Sequence, residues 1–249
     1  MLHKSIIPIY VGFDPREAAA YHVFCQSIID KASQPVAFIP LHKPLLNNFD
    51  GQRDGTNAFI FSRYLVPYLN GFNGYALFFD GDMVVNRDVA ELWNMRHNIL
   101  GQACAVVKHD YVTKHPRKYI GTNIENENVD YPRKNWSSVI LWDCGHFANR
   151  RLTPDYVGNA RADFIHRFEW LTDVQIGDLP TDWNHLVGEN PPGPASLRHY
   201  TLGVPGINHY RDDHGSWDWH RSFIQALQCG GETPSEMVKR AEDRVGAIL

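Results

Sequence analysis

Two aspartates separated by one glycine, Asp80-Gly81-Asp82, follow the apolar run Tyr75-Ala76-Leu77-Phe78-Phe79 and precede Met83-Val84-Val85. Unpaired carboxylates at the edge of a core are costly, so a cation is expected beside them. One intervening residue puts both side chains on the same side of an extended backbone, where they reach a single ion. Hard oxygen ligands favour Mg²⁺ or Mn²⁺, which keep positions open for phosphate oxygens. An Asp-Gly pair is also a common solvated hairpin turn; the apolar residues on both sides argue for the ion. His199, in Arg198-His199-Tyr200-Thr201-Leu202-Gly203, is the candidate third ligand, because neutral imidazole completes an oxygen-rich Mn²⁺ shell. With 13 histidines in the chain, a structural role is the commoner reading for any one of them.

A second mixture of groups lies in Tyr131-Pro132-Arg133-Lys134-Asn135-Trp136-Ser137-Ser138, where two cations, an amide, aromatic rings and two hydroxyls precede a strand. It suits a diphosphate and sugar hydroxyls, and taken alone it equally suits a surface loop. Arg63 faces either this ligand or solvent from its own helix. Neither GxxxxGK[ST] nor GxGxxG follows the first apolar strand, and HExxH and GxSxG are absent. These absences argue against a P-loop nucleotidase, a dinucleotide-binding dehydrogenase, a zinc protease and a serine hydrolase.

The elements that must position these groups alternate between strand and helix. Ile6 to Gly12 is a nearly continuous apolar run, the pattern of a strand buried on both faces. Asp14 then caps a helix, with Pro15 at its first position and Glu17 completing a capping-box pattern. Ala20, Val23, Phe24, Ser27 and Ile28 share its inner face. Val36 to Leu41 is the second strand. The βαβ unit places Gly12 to Asp14 at the sheet edge where α/β folds hold ligands. Leu45 to Gly55 reads as a loop over the site, and Thr56 to Leu69 as a helix kinked at Pro67. Ala103–Val107 and Ser137–Trp142 read as further strands. His109–Lys134 is a long polar connection between them. Thr153 to about Phe168, Trp217–Gln228 and Ser235–Ile248 read as helices, and Arg198–Gly203 as a short strand or turn.

The 249 residues carry a net charge of −4, which argues against broad nucleic-acid binding. No apolar stretch has the length of a membrane span. The first eight residues, broken by Pro8, do not read as a signal peptide, and the scattered cysteines Cys25, Cys104, Cys144 and Cys229 fit reduced thiols. A cytoplasmic location is expected.

The ordered set of segments resembles a nucleotide-sugar-dependent glycosyltransferase of the GT-A fold, close to glycosyltransferase family 8. The matching segments begin with Val11-Gly12-Phe13-Asp14, Ser62-Arg63-Tyr64-Leu65-Val66-Pro67-Tyr68-Leu69 and Phe78-Phe79-Asp80-Gly81-Asp82. Asn135-Trp136-Ser137-Ser138-Val139-Ile140-Leu141-Trp142, Leu179-Pro180-Thr181-Asp182-Trp183-Asn184 and His199-Tyr200-Thr201-Leu202-Gly203 complete the set. The resemblance implies an α/β fold with a mostly parallel central sheet flanked by helices, in a single glycosyltransferase domain over 1–249. Residues 1–108 would form the nucleotide-sugar and metal half, 109–215 the sugar and acceptor half, and 216–249 the closing helices.

By the same resemblance, Val11, Gly12, Phe13 and Asp14 hold base and ribose, with Arg16 nearby. Asp80, Asp82 and His199 hold Mn²⁺ or Mg²⁺. Gly81 allows close approach to the ribose, Trp136, Ser137 and Ser138 contact the sugar, and Gly203 lies by the phosphates. A lysine or tryptophan common in the family just after the late His-x-x-x-Gly segment is replaced here by Val204-Pro205-Gly206, with Lys134 or Arg133 as substitutes. Asp173 is the candidate acid near the reacting carbon. The implied activity is transfer of a sugar from a UDP- or GDP-sugar to a saccharide, lipid or protein acceptor, with retention at the anomeric carbon. A sugar nucleotidyltransferase and a non-catalytic carbohydrate- or nucleotide-binding protein are the alternatives.

Overall fold

The computed structural model describes residues 6–46, 59–228 and 233–246. The first apolar run forms β1 (Ile7–Gly12) and the second β2 (Val36–Leu41), joined through α1 (Ala18–Ile29). Asp14 caps the entry to α1, accepting the Arg16 amide at 3.0 Å. The expected capping box does not form: Glu17 makes no cap hydrogen bond, and its Oε1 is buried without a partner. The inner face of α1 is as its spacing predicts, with Ala20, Val23, Phe24, Ser27 and Ile28 all buried.

Of the expected Leu45–Gly55 loop, residues 47–55 lie outside the described residues, as do Thr56–Ala58 at the start of the expected helix. From Phe59 onward that helix is a 3-10 turn at Ser62–Leu65 followed by one α-helical turn, α2 (Val66–Leu69). Pro67 therefore sits in the first turn of α2 and kinks nothing, a position that needs no amide donor. Then follow β3 (Tyr75–Phe79), β4 (Met83–Val85), α3 (Val89–Asn94) and β5 (Cys104–Val106). The long polar connection contains a small hairpin, β6 (Arg117–Lys118) with β7 (Asn126–Glu127). After it come β8 (Val139–Asp143), α4 (Pro154–Asn159), α5 (Ala162–His166) and β9 (Ile176–Asp178). The chain closes with β10 (His185–Leu186), β11 (Leu197–His199), α6 (Ser216–Ala226) and α7 (Pro234–Gly246).

Six strands form the central sheet in the order β2-β1-β3-β8-β5-β9. Only β8 runs against the rest, pairing antiparallel with β3 and β5. Alternate residues supply two cores. Ile7, Ile9, Val11, Leu77, Phe79, Val139 and Leu141 meet Phe24 and Ile28 of α1 on one face. Tyr10, Ala76, Phe78, Ile140 and Trp142 meet Tyr64, Leu65 and Phe168 on the other. Burial on both faces is why these strands read as unbroken apolar runs. A second sheet, β10-β11-β4, sits beside the C-terminal end of β3. Its β4–β11 pairing sets Met83 opposite His199, and Tyr200 donates to the Asp82 carbonyl at 2.9 Å. Two elements distant in sequence are thus locked together at the aspartates.

Candidate active site

Asp80 and Asp82 leave the end of β3 in a short loop that lies on the end of β1. A Cβ on Gly81 would stand 2.6 Å from the Gly12 carbonyl oxygen, so glycine is required here by backbone contact between the two strand ends. Both aspartates are buried, at 8% and 9% exposure, and His199 is buried at 2%. One carboxylate oxygen from each aspartate and one ring nitrogen of His199 lie within 4.8 Å of one another.

The surroundings of this trio are asymmetric. Arg63 Nη1 stands 3.0 Å from Asp80 Oδ1 and also donates to the Ser137 carbonyl at 2.8 Å. The guanidinium lies between the Phe59 and Phe78 rings. Asp82 Oδ1 lies 3.3 Å from His199 Nε2. Asn184 donates to the Asn135 carbonyl at 3.3 Å, which turns its own carbonyl toward His199 Nδ1 at 3.0 Å. Nδ1 then carries the proton, and in the neutral ring the Nε2 lone pair faces the Asp82 carboxylate. Two lone pairs facing each other, an Asp82 Oδ1 that accepts no hydrogen bond and an Asp80 Oδ1 met only by the Arg63 ion pair are the arrangement a shared divalent cation satisfies.

Burial pushes the Asp80 carboxyl above its ordinary range, against the pull of Arg63, and Asp82 pushes it the same way. Burial also acts upward on Asp82; with a proton on His199 Nε2 as well, attraction to that ring and to Lys118 prevails and holds the carboxyl below the ordinary range. Glu17 is pushed up to about 8 by burial and by Asp82 and Asp14 nearby. Lys118 is brought down to about 8 by burial, against the pull of Asp82.

These groups open into a cleft of about 280 Å³. It collects Asp80, Asp82, His199, Arg63, Lys134, Ser137 and Ser138 from the sequence-derived set, together with Lys118, Asn128, Tyr131 and Thr201. Lys134 donates to Asn128 at 2.8 Å and pairs with Asp130 at 3.3 Å. Gly12, Asp14 and Gly81 line a narrow adjoining crevice that shares Asp82 and Tyr119 with the main cleft. Asp14 is held by both Arg16 nitrogens, at 2.9 and 2.6 Å. Val11 is in the core at 0% exposure, so only its backbone faces the sheet edge. Phe13 packs edge-on against Tyr21 and His42.

Four residues of the sequence-derived set fall elsewhere. Gly203 packs under the Tyr210 ring, where a Cβ would stand 2.3 Å from Cε2. Trp136 turns away from the aspartates and donates to the His109 carbonyl at 2.9 Å. Its ring lies between Lys108 and Arg133. Arg133, the other substitute for a phosphate contact, goes to the same outer groove and pairs with Asp173 at 2.5 Å. Asp173 is 86% exposed, so the structure does not bring this carboxylate to the aspartates. The reason is local. Arg133 and Asn135 both take left-handed backbone, with φ of 61° and 62°. The double reversal sends Lys134 inward while Arg133 and Trp136 face outward.

Sheet order, the acid-bearing end of β3 and the histidine-bearing second sheet define the GT-A glycosyltransferase fold. The bifunctional glycosyltransferase WbbM superposes with a TM-score of 0.63 at 15% identity, covering 95% of this chain and 51% of its own, so the chain spans about half of that protein. The galactosyltransferase LgtC, solved with donor and acceptor sugar analogues, gives 0.59 at 11% identity over 90% of this chain and 98% of its own. The chain belongs to the family of Protein CDI of Arabidopsis thaliana, to which it is 38% identical over 221 residues, 84% of this chain and 83% of that protein. No family model matches the chain. Among the described residues no helix is long and apolar enough to cross a membrane.

Proposed function

We propose that the chain is a metal-dependent glycosyltransferase that moves a sugar from a UDP- or GDP-sugar to a saccharide, lipid or protein acceptor. The observation that carries this reading is the convergence of Asp80, Asp82 and His199 in a cleft that also presents basic side chains. Asp80, Asp82 and His199 would hold Mn²⁺ or Mg²⁺, and two buried carboxylates with a histidine nitrogen facing one of them fit that donor set. When bound, the ion supplies Lewis-acid stabilisation of the departing diphosphate.

The remaining roles belong to the chain itself. Arg63 offsets the charge of Asp80 and fixes the Ser137–Ser138 turn beside it. Lys134 adds positive charge at the cleft wall, where preorganised cations stabilise charge that develops on a leaving group. Ser137 and Ser138 offer hydroxyls to the sugar. By the resemblance, the end of β1 from Gly12 to Asp14 would face the nucleoside; the crevice these residues line is about 10 Å³, so side chains there must move for it to enter. Resemblance to family 8 favours retention at the anomeric carbon. Asp173 has no part in the reading, because it lies outside the cleft.

The testing experiment is a thermal-shift screen of nucleotides and nucleotide sugars with and without Mn²⁺, followed by product analysis on the best donor. Stabilisation that needs both nucleotide and Mn²⁺, with nucleoside diphosphate released, is the expected result. Pyrophosphate release would move the chain to the nucleotidyltransferases. No stabilisation by any nucleotide would leave a binding protein on the same fold.

A further inference from the structure

We propose that Lys118, carried by the β6–β7 hairpin, contacts the diphosphate of the donor; this rests on the donor-site reading above. Lys118 lines the cleft together with Asp80, Asp82 and His199. Its Nζ donates to Thr201 Oγ1 at 2.9 Å, two residues beyond His199. An ammonium carries three donors, and among the described residues Thr201 is the one protein acceptor it meets. Among the described residues no carboxylate forms an ion pair with it, although Asp80 and Asp82 attract it across the cleft. A cation drawn toward acids that a metal would neutralise, with donors to spare, is complementary to an anion that arrives with that metal.

The other cations of the cleft are each paired with a carboxylate, Arg63 with Asp80 and Lys134 with Asp130. Arg63 also donates to Ser137, and Lys134 to Asn128. The segment beyond Gly203 offers no charge, and Val204 there is buried. The hairpin is also held in place. Tyr119 donates to the Leu202 carbonyl at 2.7 Å, Ile120 to the Tyr210 hydroxyl at 3.0 Å, and Asn128 to the Pro116 carbonyl at 2.8 Å. Tyr119 has φ of 55°, a left-handed conformation that costs a residue with a Cβ energy and persists where the surroundings fix it. The ammonium is therefore presented by a tethered turn, which reduces the ordering cost of binding an anion.

The test uses the full chain and its Lys118→Met, Lys118→Gln and Lys118→Arg variants, with calorimetric titration of Mn²⁺ alone and then of inorganic pyrophosphate, UDP and GDP in saturating Mn²⁺. Lys118→Met is expected to bind Mn²⁺ alone within about twofold of the parent and the diphosphates about tenfold or more weakly, the scale of one charge-assisted hydrogen bond. Lys118→Arg is expected to recover most of the loss. If Lys118→Met fails to fold, Lys118→Gln keeps a donor for Thr201 without the charge and is expected to show the same loss. A parent that binds diphosphate alongside a foldable neutral variant that binds it equally well overturns the Lys118 assignment alone. A parent that binds none of the three probes overturns the donor-site reading, and the assignment falls with it.

Discussion

Two places in this molecule set a basic side chain against an aspartate near the end of a strand, and they differ in almost everything else. In the cleft, Arg63 and Asp80 are 5% and 11% exposed, and Asp82 and His199 stand beside them with oxygen and nitrogen lone pairs unpaired. In the outer groove, Arg133 and Asp173 are 24% and 86% exposed, and the arginine spends its second nitrogen on the Arg167 carbonyl. Water can satisfy everything in the second place. In the first it cannot, and the chain keeps two like charges close together, an arrangement that a further cation would ease. Charge pairing alone therefore does not mark a site. What sets the cleft apart is the convergence of two buried carboxylates and a histidine nitrogen within 4.8 Å.

The comparison breaks most visibly at Asp82. Asp82→Asn removes one anionic ligand without changing volume, and Mn²⁺ affinity and metal-dependent turnover are expected to fall about 100-fold or more, since loss of a mere supporting contact already costs 10–100-fold. The metal-free protein should hold its Tm within about 4 °C, because at this chain length that corresponds to about 1 kcal/mol and one of two repelling charges has been removed. Isothermal titration with Mn²⁺ and a melting curve in EDTA measure the two effects. Unchanged Mn²⁺ affinity would sink the metal reading.

A smaller effect is expected one layer out. Asn184 is fully buried and joins His199 Nδ1 to the Asn135 carbonyl. Asn184→Ala leaves the ring free to turn or change tautomer while every proposed ligand is kept. Mn²⁺ affinity should drop about 10-fold, and paramagnetic broadening of the His199 ring signals by Mn²⁺ should weaken. A loss of stability without loss of affinity would make Asn184 only a core amide.

How far the cleft is legible from sequence follows the distance over which each residue acts. The aspartates announce themselves because an acid-glycine-acid break in an aromatic strand is local, and the strands because burial on both faces leaves long apolar runs. His199 is reachable through the ordered segments around it. Asn184 ends one of those segments, but its role does not show, because it works on a ring 15 residues away through a second sheet whose strands are only two and three residues long. Lys118 lies in a polar connection with no period, and its place depends on a two-residue strand held by Leu202 and Tyr210. Trp136 shows the opposite failure. Its sequence neighbours Ser137 and Ser138 do line the cleft, yet left-handed backbone at Arg133 and Asn135 reverses the alternation that an extended segment would have had. Nothing in the residue types, beyond the tolerance of asparagine for that conformation, signals the reversal.

The smallest expected effect is at Asp173, and it tests the other half of the comparison. Asp173→Asn removes an exposed charge facing Arg133, and exposed pairs of this kind contribute about 1 kcal/mol or less. Arg133 keeps its bond to the Arg167 carbonyl and its place over the Trp136 ring, so the turn that aims Lys134 inward is still held from two sides. Donor turnover should stay within about twofold of the parent, a difference that corresponds to a few tenths of a kcal/mol in activation free energy. A loss of 100-fold or more in kcat with unchanged nucleotide affinity would mean that the outer groove moves onto the reacting sugar when donor binds. The exposed carboxylate, and not burial, would then have been the mark of the site.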